Sequence, residues 1–163
     1  MLIAADTNVL MDLADEVEPV WDAVEVLRRR VRGARLVVLP TVIQELRFIA
    51  RDGETEDDVQ LAFKALQHLT RWGFEPVNFL PVEFGITEQV AARLRRNSLL
   101  PETEVNDSFI LAEAALLGCG LFVSSDSHFI ALDFQHLTLE LKASDVSVPA
   151  IASPQDIVHK FYR

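Results

Sequence analysis

The chain has a single cysteine in 163 residues, which excludes an internal disulfide framework. That residue, Cys119, stands in the apolar stretch "LLGCGLFV" and reads as a small buried core side chain. No apolar run approaches the roughly 18 uninterrupted residues that a membrane-spanning helix needs. The N-terminus opens on a strand-like run, not on a basic region followed by an apolar core. A soluble, cytoplasmic protein is expected. Low-complexity tracts, internal repeats and linkers are also missing. With 50% of residues hydrophobic, this excludes a disordered chain.

Positive charge is scarce as well, with 15 Lys and Arg against 25 Asp and Glu and a formal net charge of −10. Holding nucleic acid by charge alone is thereby excluded, because that mode rests on Lys and Arg clusters. Phosphate chemistry through divalent cations is not, since it needs acids at its centre and only local basic residues. The basic residues are clustered in "LRRRVRGAR" (Arg28, Arg29, Arg30, Arg32, Arg35) and "RLRRN" (Arg93, Arg95, Arg96). Their plainer reading is solvated helix faces and last-turn charges favoured by the helix dipole.

What is present is an α/β pattern. Short apolar runs at 2–5, 36–39 and 121–124, with weaker ones at 137–141 and 150–152, predict strands. Val20, Val24, Leu27 and Val31 form a helical stripe ending near Gly33. A second helix follows Pro40, with Thr41 as its N-cap and Val42, Leu46, Ile49 and Ala50 as its apolar positions. A third opens on Thr55 and an acidic first turn, carries Val59, Phe63, Leu66 and Leu69, and stops at Gly73. Further helices are expected at 83–96 and 103–117, with a last one from Pro154. Apolar strands without alternation, joined by helices, predict a three-layer α/β fold with a central, mostly parallel sheet flanked by helices. Residues 1–163 are expected to form a single domain, with a helical elaboration around 53–100 too short for its own core.

In such a sheet, ligands collect at the C-terminal ends of the strands. Asp6 closes the first strand, and Glu45 lies one turn into the helix after the second. Asp107 sits early in the helix "PETEVNDSFILAEAALL", and Asp126 follows "LFVSS" directly. Taken singly, each has an ordinary explanation as a cap, first-turn acid, exposed helix acid or turn residue. Together they converge on one end of the sheet, where carboxylates repel one another unless a cation compensates them. Oxygen ligands of this kind suit Mg²⁺ or Mn²⁺. Glu104, one turn before Asp107, and His128 lie near the set, but read more simply as a dipole-favoured acid and an incidental loop histidine. Phe109, Ile110, Leu116 and Leu117 are assigned to the core, and Asp12, Asp15 and Glu16 to solvent or the next helix's dipole.

The segments "LIAADTNVLMDL", "PTVIQELRFIA", "NDSFILAEAALLGCGLFVSSDSHF" and "VPAIASPQDIV" together resemble a PIN-domain nuclease, the fold of the VapC toxins of toxin–antitoxin pairs. The resemblance implies that Asp6, Glu45, Asp107 and Asp126 are the acidic metal-binding, catalytic positions, with Asn8 and Ser124 as supporting polar residues that orient them. It further implies a metal-dependent endoribonuclease using Mg²⁺ or Mn²⁺ on RNA, single-stranded where bases splay out, and leaving 5′-phosphate ends. An antitoxin protein and a homodimer are the implied partners, with Trp21, Trp72 or Phe74 as exposed apolar residues available to the dimer.

No better nucleophile is offered, since Cys119 has no nearby His and no serine sits in a nucleophile elbow. A phospho-accepting receiver domain would want a lysine after a late strand, and Lys142 stands in the wrong context. A dehalogenase-type phosphatase would want an Asp where Asn8 stands. The remaining rival is a non-catalytic binding module of the same fold that acts through protein contacts.

Overall fold

The computed structural model describes residues 1–161. Its elements are β1 (Leu2–Ala5), α1 (Thr7–Ala14), α2 (Glu18–Arg30), β2 (Arg35–Val38), α3 (Pro40–Asp52), α4 (Glu56–His68), β3 (Phe74–Pro76), α5 (Pro81–Arg96), α6 (Val105–Leu116), β4 (Leu121–Val123), α7 (Ser127–Ile130), α8 (Phe134–Ala143), β5 (Ala150–Ala152) and α9 (Pro154–Phe161). The five strands are all parallel, in the order β3-β2-β1-β4-β5. Ile3, Ala4, Ala5, Leu36, Val37, Val38, Phe122 and Val123 are all buried. Successive residues of a strand point to opposite faces, so both faces of the sheet are covered and the architecture has three layers. No helix among the described residues is long and apolar enough to cross a membrane.

The strand order positions the site. From β1 the chain moves outward to β2 and β3, then crosses back to β4 on the other side of β1. The reversal leaves a crevice at the C-terminal ends of β1 and β4, the usual place for a ligand in an open parallel sheet. Ala5 is in register with Val123, and the Asp6 N–H continues the ladder to the Val123 carbonyl at 3.0 Å. Asp6 and Ser124 therefore leave the sheet side by side. The entry to β4 is set by Gly118 (φ 74°). It closes α6 with paired hydrogen bonds, Gly118 N–H to Ala115 O at 3.2 Å and Cys119 N–H to Ala114 O at 3.0 Å, a turn whose left-handed residue favours glycine. Cys119 is buried, and burial pushes its thiol up to about 11, which makes it an inert core residue as expected.

Several expectations change. The run 137–141 is not a strand but the body of α8. Leu137 and Leu141, one turn apart, are buried while Leu139 between them is exposed, so "LTLEL" satisfies both periods and the helix capped by Asp133 wins. Strand β3 escapes detection because it is only three residues long and ends on Pro76. On α4 the buried face is Ala62 and Ala65, continued by Leu69 just past its end, whereas Phe63 is exposed; small residues let α4 lie close against α1 and α3. Trp72 and Phe74 are buried, not exposed, since Trp72 stacks on His68 and meets Trp21 edge-on and Phe74 belongs to β3. Trp21 alone of the three has substantial exposure. Of the assigned α6 core residues, Ile110 is fully buried and Phe109, Leu116 and Leu117 are half-buried. Segment 53–100 carries α4 and α5 and also β3, which pairs with β2. Thr41 is not the N-cap of α3; that position is Leu39, and Thr41 lies inside the first turn after Pro40.

Phe122 is fully buried in β4 and meets Phe129 of α7 edge-on, with ring centroids 4.9 Å apart. Replacing it with alanine is expected to cost about 3–5 kcal/mol through lost burial and a cavity, measurable by urea unfolding. A cost below about 1 kcal/mol would mean that β4 is not held by this contact.

Candidate active site

Asp6 is the most constrained of the acids. It follows β1 and N-caps α1, and its Oδ1 accepts from the Val9 N–H at 2.8 Å. Its Oδ2 accepts from the Ser124 hydroxyl. Only 3% of Asp6 is exposed. Ser124 is itself buried and accepts from the Asp126 N–H at 2.9 Å, so a single hydroxyl couples the ends of β1 and β4. Asp126 N-caps α7, its Oδ1 accepting from the His128 N–H at 2.7 Å. Two of the predicted acids are thus helix caps as well as cleft residues.

Glu45 and Asp107 arrive from α3 and α6. Both oxygens of Glu45 are engaged, Oε2 accepting from the Thr7 hydroxyl and Oε1 from the Asn106 amide at 2.9 Å. Asp107 lies in the first turn of α6. The His128 Nδ1 is 3.9 Å from Asp107 Oδ2 and 3.7 Å from Asp126 Oδ1. Ligand atoms of Glu104, Asp107 and His128 all lie within 4.8 Å of one another, so the two neighbours set aside on sequence grounds do approach the acids. Asp6, Glu45, Asp107 and Asp126 share one open cleft of about 480 Å³.

The electrostatics follow from this crowding. Burial raises the Asp6 carboxyl, the Ser124 and Val9 hydrogen bonds pull it down, and the charges of Asp126 and Asp107 push it up again, to about 7. Asp107 is raised to about 6, first by burial, then by Asp126, Glu104 and Glu45, with His128 opposing. No Lys or Arg among the described residues pairs with any of the four acids. Carboxylates that repel one another, with oxygen lone pairs facing a shared cleft, form a donor set suited to a hard divalent cation.

Of the sequence-predicted residues, the four acids are brought together and Ser124 is bonded to one of them. Asn8 lines the cleft but is exposed, and no side-chain hydrogen bond joins it to an acid among the described residues. The basic clusters lie outside the cleft walls. Arg29 pairs with Glu25, Arg35 with Glu75 and Arg93 with Glu140, while Arg95 bonds Ser108. Sequence reasoning missed Thr7 and Asn106, which orient Glu45. Each directly adjoins a predicted acid, Asp6 and Asp107, and that adjacency was the available signal. It also missed Glu113, buried on α6 at 1% exposure and raised to about 7 by burial, against the two Thr41 hydrogen bonds.

Asp6, Asp107 and Glu113 bind a proton more tightly in the folded than in the unfolded chain. Between their ordinary carboxylate values near 4 and their folded values of about 6 to 7, the folded state therefore carries the extra protons. Stability must fall as pH rises through that window. In chelator, the melting temperature is expected to decline from about pH 5 to about pH 8, and Asp6→Asn should flatten the decline. A melting temperature that rises across this range would contradict the assignment.

Comparison with curated protein sequences yields no match. Among solved structures, the chain is similar to the crystal structure of VapBC2 from Rickettsia felis bound to a DNA fragment from its promoter. The TM-score is 0.64 at 14% identity, covering 94% of this chain and 98% of that one, a likeness of fold. The model of the PIN domain matches residues 3–135, a span that contains all four acids of the cleft, and the chain belongs to the PIN-domain family.

Proposed function

We propose that the protein is a divalent-metal-dependent endoribonuclease and the toxin of a toxin–antitoxin pair. The observation that carries this reading is the meeting of Asp6, Asp107 and Asp126 in one cleft with Glu45, without a Lys or Arg side chain among the described residues to neutralise them. Asp6, Asp107 and Asp126 are the residues that would hold Mg²⁺ or Mn²⁺. Glu45, whose two oxygens are engaged like those of Asp6, would hold it directly or through water. A bound divalent cation supplies charge neutralisation at the phosphate and a more acidic water. In the hydrolysis, the water oxygen bonds to phosphorus and the P–O3′ bond breaks, leaving 5′-phosphate and 3′-hydroxyl ends.

The chain's own residues supply orientation. Ser124 and the Val9 N–H fix Asp6, while Thr7 and Asn106 fix Glu45. Among the described residues the cleft walls carry no Lys or Arg, so substrate affinity cannot rest on ion pairs with phosphate there. Single-stranded RNA fits an open cleft of this kind because its backbone is accessible and its bases can splay away. The PIN family is typically nucleolytic, which supports catalysis over a purely binding role. The VapBC2 likeness supports an antitoxin as an assembly partner.

Labelled RNAs and single-stranded DNA, incubated with Mg²⁺, Mn²⁺ or chelator, test the reading directly. Cleavage of RNA only with metal is expected, reduced more than about 100-fold in Asp107→Asn. No cleavage, together with no Mn²⁺-induced rise in melting temperature, would leave a binding module of the same fold.

Ser124→Ala removes a donor from Asp6 and the acceptor of the Asp126 N–H. Mn²⁺ affinity and cleavage are expected to fall about 10–100-fold, as when a residue that orients a ligand is lost, with Ser124→Thr retaining both. Calorimetric titration checks the affinity, and equal affinities in Ser124→Ala and wild type would refute the orienting role.

A further inference from the structure

Glu113 is a buried carboxylate that the reaction does not use. Its surroundings explain why an acid stands there. Helix α3 starts directly after β2, its N-cap Leu39 has no side-chain acceptor, and Pro40 has no N–H to offer. The first free donor of α3 is therefore the Thr41 N–H, at the positive end of the helix dipole. Glu113, 72 residues further on, accepts this N–H on Oε2 at 3.1 Å and the Thr41 hydroxyl on Oε1 at 2.7 Å. Both partners are buried, and no Lys or Arg among the described residues pairs with Glu113. Glu113 is a helix cap supplied across the fold, from α6 to α3.

A second link joins the same helices. Asn106 of α6 donates to Glu45 of α3. Thr41 and Glu45 are one turn apart on α3, and Asn106 and Glu113 two turns apart on α6, so each pair lies on one stripe of its helix. Moving along α3 from Thr41 to Glu45, the partners run backward along α6 from Glu113 to Asn106. The helices are thus tied at two heights in opposite directions. The Glu113 tie is dry, and a buried hydrogen bond left half-made is costly. The Asn106 tie is exposed and adjusts more easily. The height at which Glu45 stands beside Asp107 is then set chiefly from below.

We propose that Glu113 is a positioning residue for the cleft, holding the first turn of α3 against α6 so that Glu45 faces Asp107. The proposal rests on the reading of the cleft as a cation site. It predicts that Glu113→Gln, which keeps the size but withdraws one acceptor, weakens Mn²⁺ binding about tenfold. Thr41→Val, which withdraws the hydroxyl, should do the same, and Thr41→Ser should not. Because Glu113 acts through Glu45, Glu113→Gln should add little to the loss already caused by Glu45→Gln.

The experiment is calorimetric titration with Mn²⁺ alone at about pH 8, above the Glu113 value, well below each variant's melting temperature. Hydrogen exchange of residues 40–48 is followed in parallel, in chelator. Weaker binding in Glu113→Gln and Thr41→Val, non-additive with Glu45→Gln, supports the proposal. A lowered melting temperature with unchanged Mn²⁺ affinity makes Glu113 merely structural and overturns it, as does full additivity with Glu45→Gln. If Glu113→Gln does not fold, Thr41→Val decides by the same criteria. If wild type binds no Mn²⁺, the cation reading fails, and exchange decides the positioning separately. Faster exchange confined to 40–48 supports it, and exchange unchanged there or raised uniformly overturns it.

Discussion

The structure depends on keeping one carboxylate, that of Asp6, almost out of water at the end of a central strand. A charge in that position is tolerated only when its oxygens are satisfied. Satisfying them requires α1 to begin at once, so that the Val9 N–H is present, and β4 to lie beside β1 in register, so that Ser124 arrives at the same level. The order of the sheet, the absence of a loop between β1 and α1, and the crossing of the chain back to β4 all serve this one contact. Even so, burial outweighs the hydrogen bonds and leaves Asp6 at about 7.

The acids of the cleft are also parts of the scaffold. Asp6 caps α1, Asp126 caps α7, and Asp107 occupies the first turn of α6. Their helices begin at the same edge of the sheet and turn their positive ends toward it. Backbone dipoles thereby offset part of the negative charge in a cleft whose described walls contain no Lys or Arg. The capping of α1 and α7 by Asp6 and Asp126 is compatible with the metal-binding role proposed for the same residues.

Neutral side chains do the orienting. Ser124 holds Asp6, Thr7 and Asn106 hold Glu45, and Thr41 takes up Glu113. Hydroxyls and amides suit this work because they direct a carboxylate without cancelling its charge, as a salt bridge would. Arg29, Arg35, Arg93 and Arg95 are engaged elsewhere, on exposed or half-exposed acids of the same helix or of neighbouring elements and on Ser108.

By itself the sequence determined the α/β class, the parallel character of the sheet and which four acids meet in the cleft. Apolar runs and polar punctuation are local, and strand ends in a parallel sheet fall on one edge whatever the details. It also determined most helices, where caps such as Thr55 and stripes such as Val20, Val24 and Leu27 are local signals. Tertiary structure alone decided whether "LTLEL" became helix or strand, since three alternate leucines serve both periods until packing selects two of them. It alone decided the burial of Trp72 and Phe74 and the existence of β3, whose pairing partner is remote in sequence. It alone decided that Thr7 and Asn106 bond Glu45 and that Glu113 bonds Thr41, because a hydrogen bond between residues tens of positions apart leaves no periodicity to read. Residue type states what a side chain can bond to, and only the meeting of distant segments states what it does bond to.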